Sequence, residues 1–151
     1  MRLLLTGLNG TLAPRLAAHA GARGWEVIGW NRQQIPPEDE AAAAAWLAAQ
    51  RVDAIAHLAF GAESWAAQLA AYAAARGLPF LFTSTAMVFD HKPDGPHRPG
   101  DPRTAQDDYG RYKIRCEDAV RAHHRAACIA RLGWQIDPAA RGNNMVAALD
   151  A

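Results

Sequence analysis

The chain has 151 residues, of which 50% are hydrophobic, and its 16 Lys+Arg against 15 Asp+Glu leave a formal net charge of +1. That length suits one domain with one substantial core. The charge is balanced, with neither a basic run nor an acidic tail, so nothing points to a nucleic-acid polymer or a membrane surface as partner.

In chain order, "RLLLT" (2–6) is a short apolar run ending at a glycine turn, the pattern of a buried parallel strand. "TLAPRLAAHAGAR" (11–23) has helical spacing, and Gly24 stands where that helix would stop. "EVIGW" (26–30) reads as a second strand, and "PPEDEAAAAAWLAAQ" (36–50) as a helix whose first turn holds acids. "DAIAHLAF" (53–60) is a third strand, followed by a helix over 63–76 closed by Gly77 and a strand "PFLFTST" (79–85). Proline, glycine and aspartate crowd 90–103, which predicts a loop. Thr104 and Asp107 have the spacing of a capping box for a helix running to about Arg125. A last strand is expected over 126–132 and the start of a helix over 143–151. Strands alternating with helices predict an α/β fold: a Rossmann-like doubly wound parallel sheet, helices on both faces, in a single domain spanning 1–151.

No apolar run is long enough to span a bilayer, and the apolar part of "MRLLLTGLNG" is too short for a secretory signal, so a cytoplasmic protein is expected. Cys116 and Cys128 fit reduced thiols in helical surroundings rather than a disulfide framework. His91 and His97 flank a proline loop without a third ligand at metal spacing, so no metal is expected. The tryptophans at 25, 30, 46, 65 and 134 are expected in the core or an interface, and Tyr112 in packing.

Three constellations carry chemistry. In "TGLNGTLA" (6–13), Gly7 allows a tight turn, Gly10 lets backbone approach a pyrophosphate, and Ala13 stands for a third glycine. A helix beginning there would turn free N–H groups and a positive dipole end towards phosphates. About twenty residues on, Asn31 and Arg32 stand where an NAD site commonly has an acid. A guanidinium suits a 2′-phosphate, which favours NADP(H) over NAD(H). Third, "FTSTAMVFD" (82–90) ends a strand in hydroxyls, at the sheet edge where such folds bind ligands. Beyond these, Tyr109 and Lys113 lie four apart on one helical face, and only Lys92 and Lys113 among the basic residues are lysines.

"TGxxGxx", "STxxVFD" and "YGxxKxxxE", in that order, resemble the extended short-chain dehydrogenase/reductase superfamily, and within it the RmlD-like dTDP-4-dehydrorhamnose reductases. "RVDAIAHLA" (51–59) is similar to that family's fourth strand and "GNNMVAAL" (142–149) to its later glycine–asparagine segment. The resemblance implies an NADP(H)-dependent reductase that transfers hydride to the keto group of a small substrate, a nucleotide-linked sugar. It implies catalytic roles for Thr85, Tyr109 and Lys113, with Tyr109 as proton donor. It also implies cofactor contacts from Gly7, Asn9, Gly10, Thr11, Leu12, Asn31, Arg32, Leu58, Ala59 and Lys113. A lysine ammonium about 5 Å from a phenol, at an effective dielectric near 20, would favour the phenolate by about 3 kcal/mol, roughly two pKa units. A homodimer through the helices at 63–76 and 105–125 follows from the same resemblance.

The chain also departs from the family. The segment between "HLAF" and the next helix is short, and Ala86 and Met87 stand where the family commonly has Asp and Tyr. RmlD-like proteins run about twice as long, so the family's C-terminal substrate lobe is expected to be absent from this chain. The alternative function is a non-catalytic dinucleotide-binding or sensing module.

Overall fold

The computed structural model describes residues 1–89 and 95–135. Five parallel strands form one sheet: β1 (Arg2–Thr6), β2 (Glu26–Gly29), β3 (Ala54–His57), β4 (Phe80–Thr85) and β5 (Cys128–Leu132), in the order β2-β1-β3-β4-β5. Leu3 sits opposite Val27 of β2, Leu4 opposite Ile55 of β3, and Phe82 opposite Ile129 of β5. The connections are the helices α1 (Ala13–Ala22), α2 (Glu40–Ala49), α3 (Glu63–Ala75) and α4 (Asp108–His123), plus a 3₁₀ turn at Ala86–Phe89.

Strand order and handedness together decide which face each helix covers. A right-handed crossover from β1 to β2 runs one way along the sheet, and every later crossover runs the other way. Accordingly, α1 packs Ala13 and Ala20 against Leu3, Leu5 and Ala56 on one face. On the other face α2, α3 and α4 pack Leu47, Leu69 and Val120 against Leu4, Ile55 and Phe82. The direction reverses between β1 and β3, so the connections leaving their paired carboxyl ends run to opposite faces of the sheet and leave a crevice. The doubly wound α/β fold expected from the sequence is the one found. Among the described residues no helix is long and apolar enough to cross a membrane.

Boundaries moved where local chemistry outbid the pattern. Helix α2 starts at Glu40, not at 36, because the Asp39 carboxylate accepts from the Ala42 N–H and forms the cap beyond Pro36 and Pro37. The capping box is not formed: Asp107 is itself the N-cap, accepting from the Gly110 N–H at 2.7 Å, while the Thr104 N–H donates to the Val88 carbonyl. A Cβ on Gly110 would lie 2.5 Å from the Ala105 Cβ and 3.0 Å from the Met87 carbonyl, so only glycine lets α4 start this close to the 3₁₀ turn. β3 ends at His57 rather than 60, since the next two N–H groups leave the ladder. Gly24 and Gly77 close α1 and α3 as expected, each at positive φ.

Trp30, Trp46 and Trp65 form one edge-to-face cluster, with ring centroids 4.8 and 5.4 Å apart, while Trp134 is 73% exposed and outside the core. Cys116 is buried and Cys128 exposed, both as free thiols. The helix expected over 143–151, the glycine–asparagine segment and His91 lie outside the described residues.

Candidate functional site

A groove crosses the carboxyl ends of the strands. Its middle is a cleft of about 260 Å³ lined by Gly7, Thr11, Thr85, Tyr109 and Lys113 among others. Towards β2 it shares Gly7, Gly10, Leu58 and Phe60 with a cavity of about 820 Å³ that reaches Asn31 and Arg32. Towards β5 it shares Thr85 and Tyr109 with a cavity of about 600 Å³ walled by Met87, Phe89, His97 and Trp134. Every residue expected in a catalytic or cofactor-binding role lines one of these spaces: Asn9 and Ala59 the β2 side, Leu12 the middle.

The first wall is backbone. Gly7 has φ +87°, and a Cβ there would stand 3.0 Å from the Ala59 nitrogen, so the turn presses directly on the chain leaving β3. The Gly10 N–H closes the turn on the Gly7 carbonyl at 2.8 Å. Helix α1 then begins with Leu12 as N-cap, no side-chain cap and no acid in its first turn. Its N-terminal N–H groups and dipole are therefore open to an anion, which fits a pyrophosphate.

Beneath this turn, Thr6 is fully buried, and its hydroxyl oxygen accepts from the Leu58 and Ala59 N–H groups at 3.0 and 3.1 Å. With both lone pairs used, its hydrogen goes to His57 Nδ1 at 2.8 Å, which makes that nitrogen an acceptor and the ring neutral. Burial, and then the Lys113 charge, push the His57 pKa down to about 3.

At the β2 end, the Arg32 guanidinium donates to the Phe60 carbonyl at 3.2 Å, and the Asn31 side chain accepts from the Gln33 N–H. One bond leaves most of the guanidinium's donors free to meet a phosphate.

At the β5 end, side chains do the building. The Thr85 hydroxyl oxygen accepts from the Met87 N–H at 3.2 Å and so caps the 3₁₀ turn, which leaves its hydrogen to be donated. Lys113 is buried, with its ammonium donating to the Thr83 carbonyl at 2.9 Å and lying 4.8 Å from the Phe82 ring centroid. Burial pulls its pKa down, against the opposing pull of Cys116 and Glu117. Tyr109 is 42% exposed, its ring centroid 6.0 Å from the Lys113 ammonium. The expected lowering of its phenol is not found: burial raises the pKa, and Cys116 adds to the rise.

Glu117, the last residue of "YGxxKxxxE", is 1% exposed and holds α4 to its surroundings. It takes Arg131 of β5 through two bonds of 2.9 and 2.8 Å, and Arg103 at 3.2 Å. Burial pushes its carboxyl up, but Arg131, Ser84 and Arg103 outweigh that and hold the pKa low.

Ser84, one of the strand-end hydroxyls expected there, lines the middle cleft, and so do Phe60, Thr83, Leu132, Gly133 and Gln135, which no motif marked. The rule that ligands sit beyond the carboxyl ends of strands would have named most of them. Among the described residues no group of His, Cys, Asp or Glu is placed to hold a metal ion.

The RmlD substrate binding domain family matches residues 62–150. The dTDP-4-dehydrorhamnose reductase of Mycobacterium tuberculosis is 29% identical over 88% of this chain, which spans about half (50%) of that relative's length. The structure of the Bacillus anthracis dTDP-4-dehydrorhamnose reductase in complex with NADP matches with TM-score 0.85 and 20% identity, over 99% of this chain and 59% of that one. WbmH of Bordetella bronchiseptica, in complex with NAD+, matches with TM-score 0.75 and 20% identity, over 91% of this chain and 57% of that one.

Proposed function

The chain belongs to the RmlD substrate binding domain family, and from that premise we propose that it binds NADP(H) across the β1/β3 crevice and reduces the keto group of a nucleotide-linked sugar. The observation that carries the reading is the single groove in which the glycine turn at one end meets Thr85, Tyr109 and Lys113 at the other. NADPH would supply the hydride. Gly7, Asn9, Gly10, Thr11 and Leu12 would hold its pyrophosphate against the start of α1, with Leu58 and Ala59 opposite. Asn31 and Arg32 would receive the adenosine end, with the guanidinium on the 2′-phosphate. Lys113 would hold the nicotinamide ribose.

Tyr109 would give its proton to the carbonyl oxygen as hydride arrives at the carbon, and Thr85 would donate a hydrogen bond to the same oxygen. A raised phenol pKa suits a group that must stay protonated until that moment, but it needs the charge of Lys113 to exchange its proton at neutral pH. The bond to the Thr83 carbonyl uses one of the three ammonium donors and leaves two for the ribose and the phenol. A second reading, dinucleotide binding without turnover, takes its support from the phenol, whose pKa burial raises rather than lowers.

The test is to mix the protein with NADPH and a panel of keto-sugar nucleotides and follow loss of the reduced cofactor by absorbance. Turnover supports the reductase. Binding of NADPH with no turnover on any member favours the second reading. We place the protein in the cytoplasm, as a homodimer through the outer faces of α3 and α4; a monomer in analytical ultracentrifugation would count against that assembly.

A further inference from the structure

In the short chain segment from Leu58 to Ala62, Leu58 and Phe60 line both the middle cleft and the β2-side cavity, and Ala59 lines the latter. The segment belongs to no helix or strand, and yet it is tied down from three directions. Thr6 of β1 takes the Leu58 and Ala59 N–H groups, and Arg32 beyond β2 takes the Phe60 carbonyl. The third tie comes from α4. The Tyr112 phenol donates to the Gly61 carbonyl at 2.6 Å and accepts from the Gly61 N–H at 3.3 Å. One side chain therefore satisfies both backbone groups of one loop residue, much as a neighbouring strand would.

The Tyr112 ring also lies 4.7 Å, centroid to centroid, from Phe60, and Phe60 is roughly parallel to Tyr109 at 6.5 Å. Phe60 is 63% exposed, so little besides Tyr112 and the two backbone ties sets where its ring stands. A Cβ on Gly61 would meet the Trp65 ring at 2.7 Å, so the loop is also pressed onto α3 and cannot shift inward.

We propose that Tyr112 is a positioning residue for the dinucleotide: through Gly61 it fixes the Leu58–Ala62 wall and the Phe60 ring against which the cofactor is seated. The inference rests on the dinucleotide reading above. It assigns Tyr112 a role distinct from Tyr109, although the two are three residues apart on one helix. Because the wall faces both parts of the groove, its loss weakens NADPH and NADH alike, unlike a change at Arg32, which alters their ratio.

The experiment measures affinity for NADPH and for NADH by fluorescence titration, alongside thermal melting, in wild type, Tyr112→Phe and Tyr72→Phe. Tyr72 is the control: its phenol donates to the Leu47 carbonyl at 2.8 Å, an equally half-buried bond, and it lines no part of the groove. Tyr112→Phe is expected to weaken both cofactors about five- to tenfold with their ratio unchanged. Tyr72→Phe is expected to cost similar melting temperature and no affinity. Equal affinity in Tyr112→Phe and wild type, or an equal loss in Tyr72→Phe, would overturn the proposal. If Tyr112→Phe does not fold, Phe60→Ala takes its place, since that ring is exposed. It should weaken both cofactors to a similar degree, and no change would overturn the proposal. Wild type that binds neither dinucleotide removes the underlying reading, and this inference with it.

Discussion

At the β2 end of the groove the chain presents backbone: a glycine at positive φ, a turn closed by one N–H, and a helix N-terminus that no side chain caps. At the β5 end it presents side chains held by other side chains, with Lys113 on a carbonyl, Thr85 on a turn and Glu117 between two arginines. The first kind of construction needs only the right residues in local order. The second depends on elements far apart in sequence arriving together, so it is the more easily broken and the more easily tuned.

The sharpest way to separate the two ends is Tyr109→Phe, which removes the proposed proton donor and leaves the glycine turn untouched. In an active wild type, turnover should fall by about 10²–10⁴-fold with NADPH affinity little changed. Equal rates would show that the β5 end does not carry the proton.

Glu117→Ala attacks the same end through its support. It leaves the Arg131 and Arg103 guanidiniums without their shared carboxylate. Both keep some contact with water, at 18% and 26% side-chain exposure, so the cost should fall at the low end for breaking a buried pair, about 3 kcal/mol. For a chain of this size that corresponds to a melting temperature lower by about 6–12 °C. A shift of only a degree or two would mean that the network is a spectator.

A further effect, from His57 at the end of β3, is read by pH. His57 has a folded pKa of about 3 against an ordinary value of 6.5, so the folded state binds the proton less well than the unfolded one. Stability is therefore full above about 6.5 and declines as pH falls towards 3, by about 1.4 kcal/mol per unit from this ring. In His57→Gln that part of the slope should vanish; an unchanged acid profile would place the sensitivity elsewhere, at Glu117 first.

This contrast also explains what could be read from the sequence. β1, α1 and the glycine turn were legible because apolar runs, glycine and proline act locally. Tyr109 and Lys113 were legible as a motif, but the direction of the phenol's pKa was not. That depends on how far the fold buries Tyr109, and then on Cys116 of the same helix. Asp107 as the cap of α4 escaped for a similar reason, since the choice over Thr104 follows from Gly110 packing on Ala105 and the Met87 carbonyl. His57 and Tyr112 carry no pattern at all. Their parts follow from which loop they meet.

The measurement closest to the central claim, a dinucleotide across the β1/β3 crevice with its 2′-phosphate on Arg32, is a paired titration of wild type and Arg32→Asp with NADPH and NADH. The account predicts that wild type binds NADPH more tightly and that Arg32→Asp reverses the order, because the phosphate loses its partner and the ribose gains an acceptor. Equal affinity of wild type for the two cofactors would contradict the role of Arg32, and binding of neither would contradict the dinucleotide site itself.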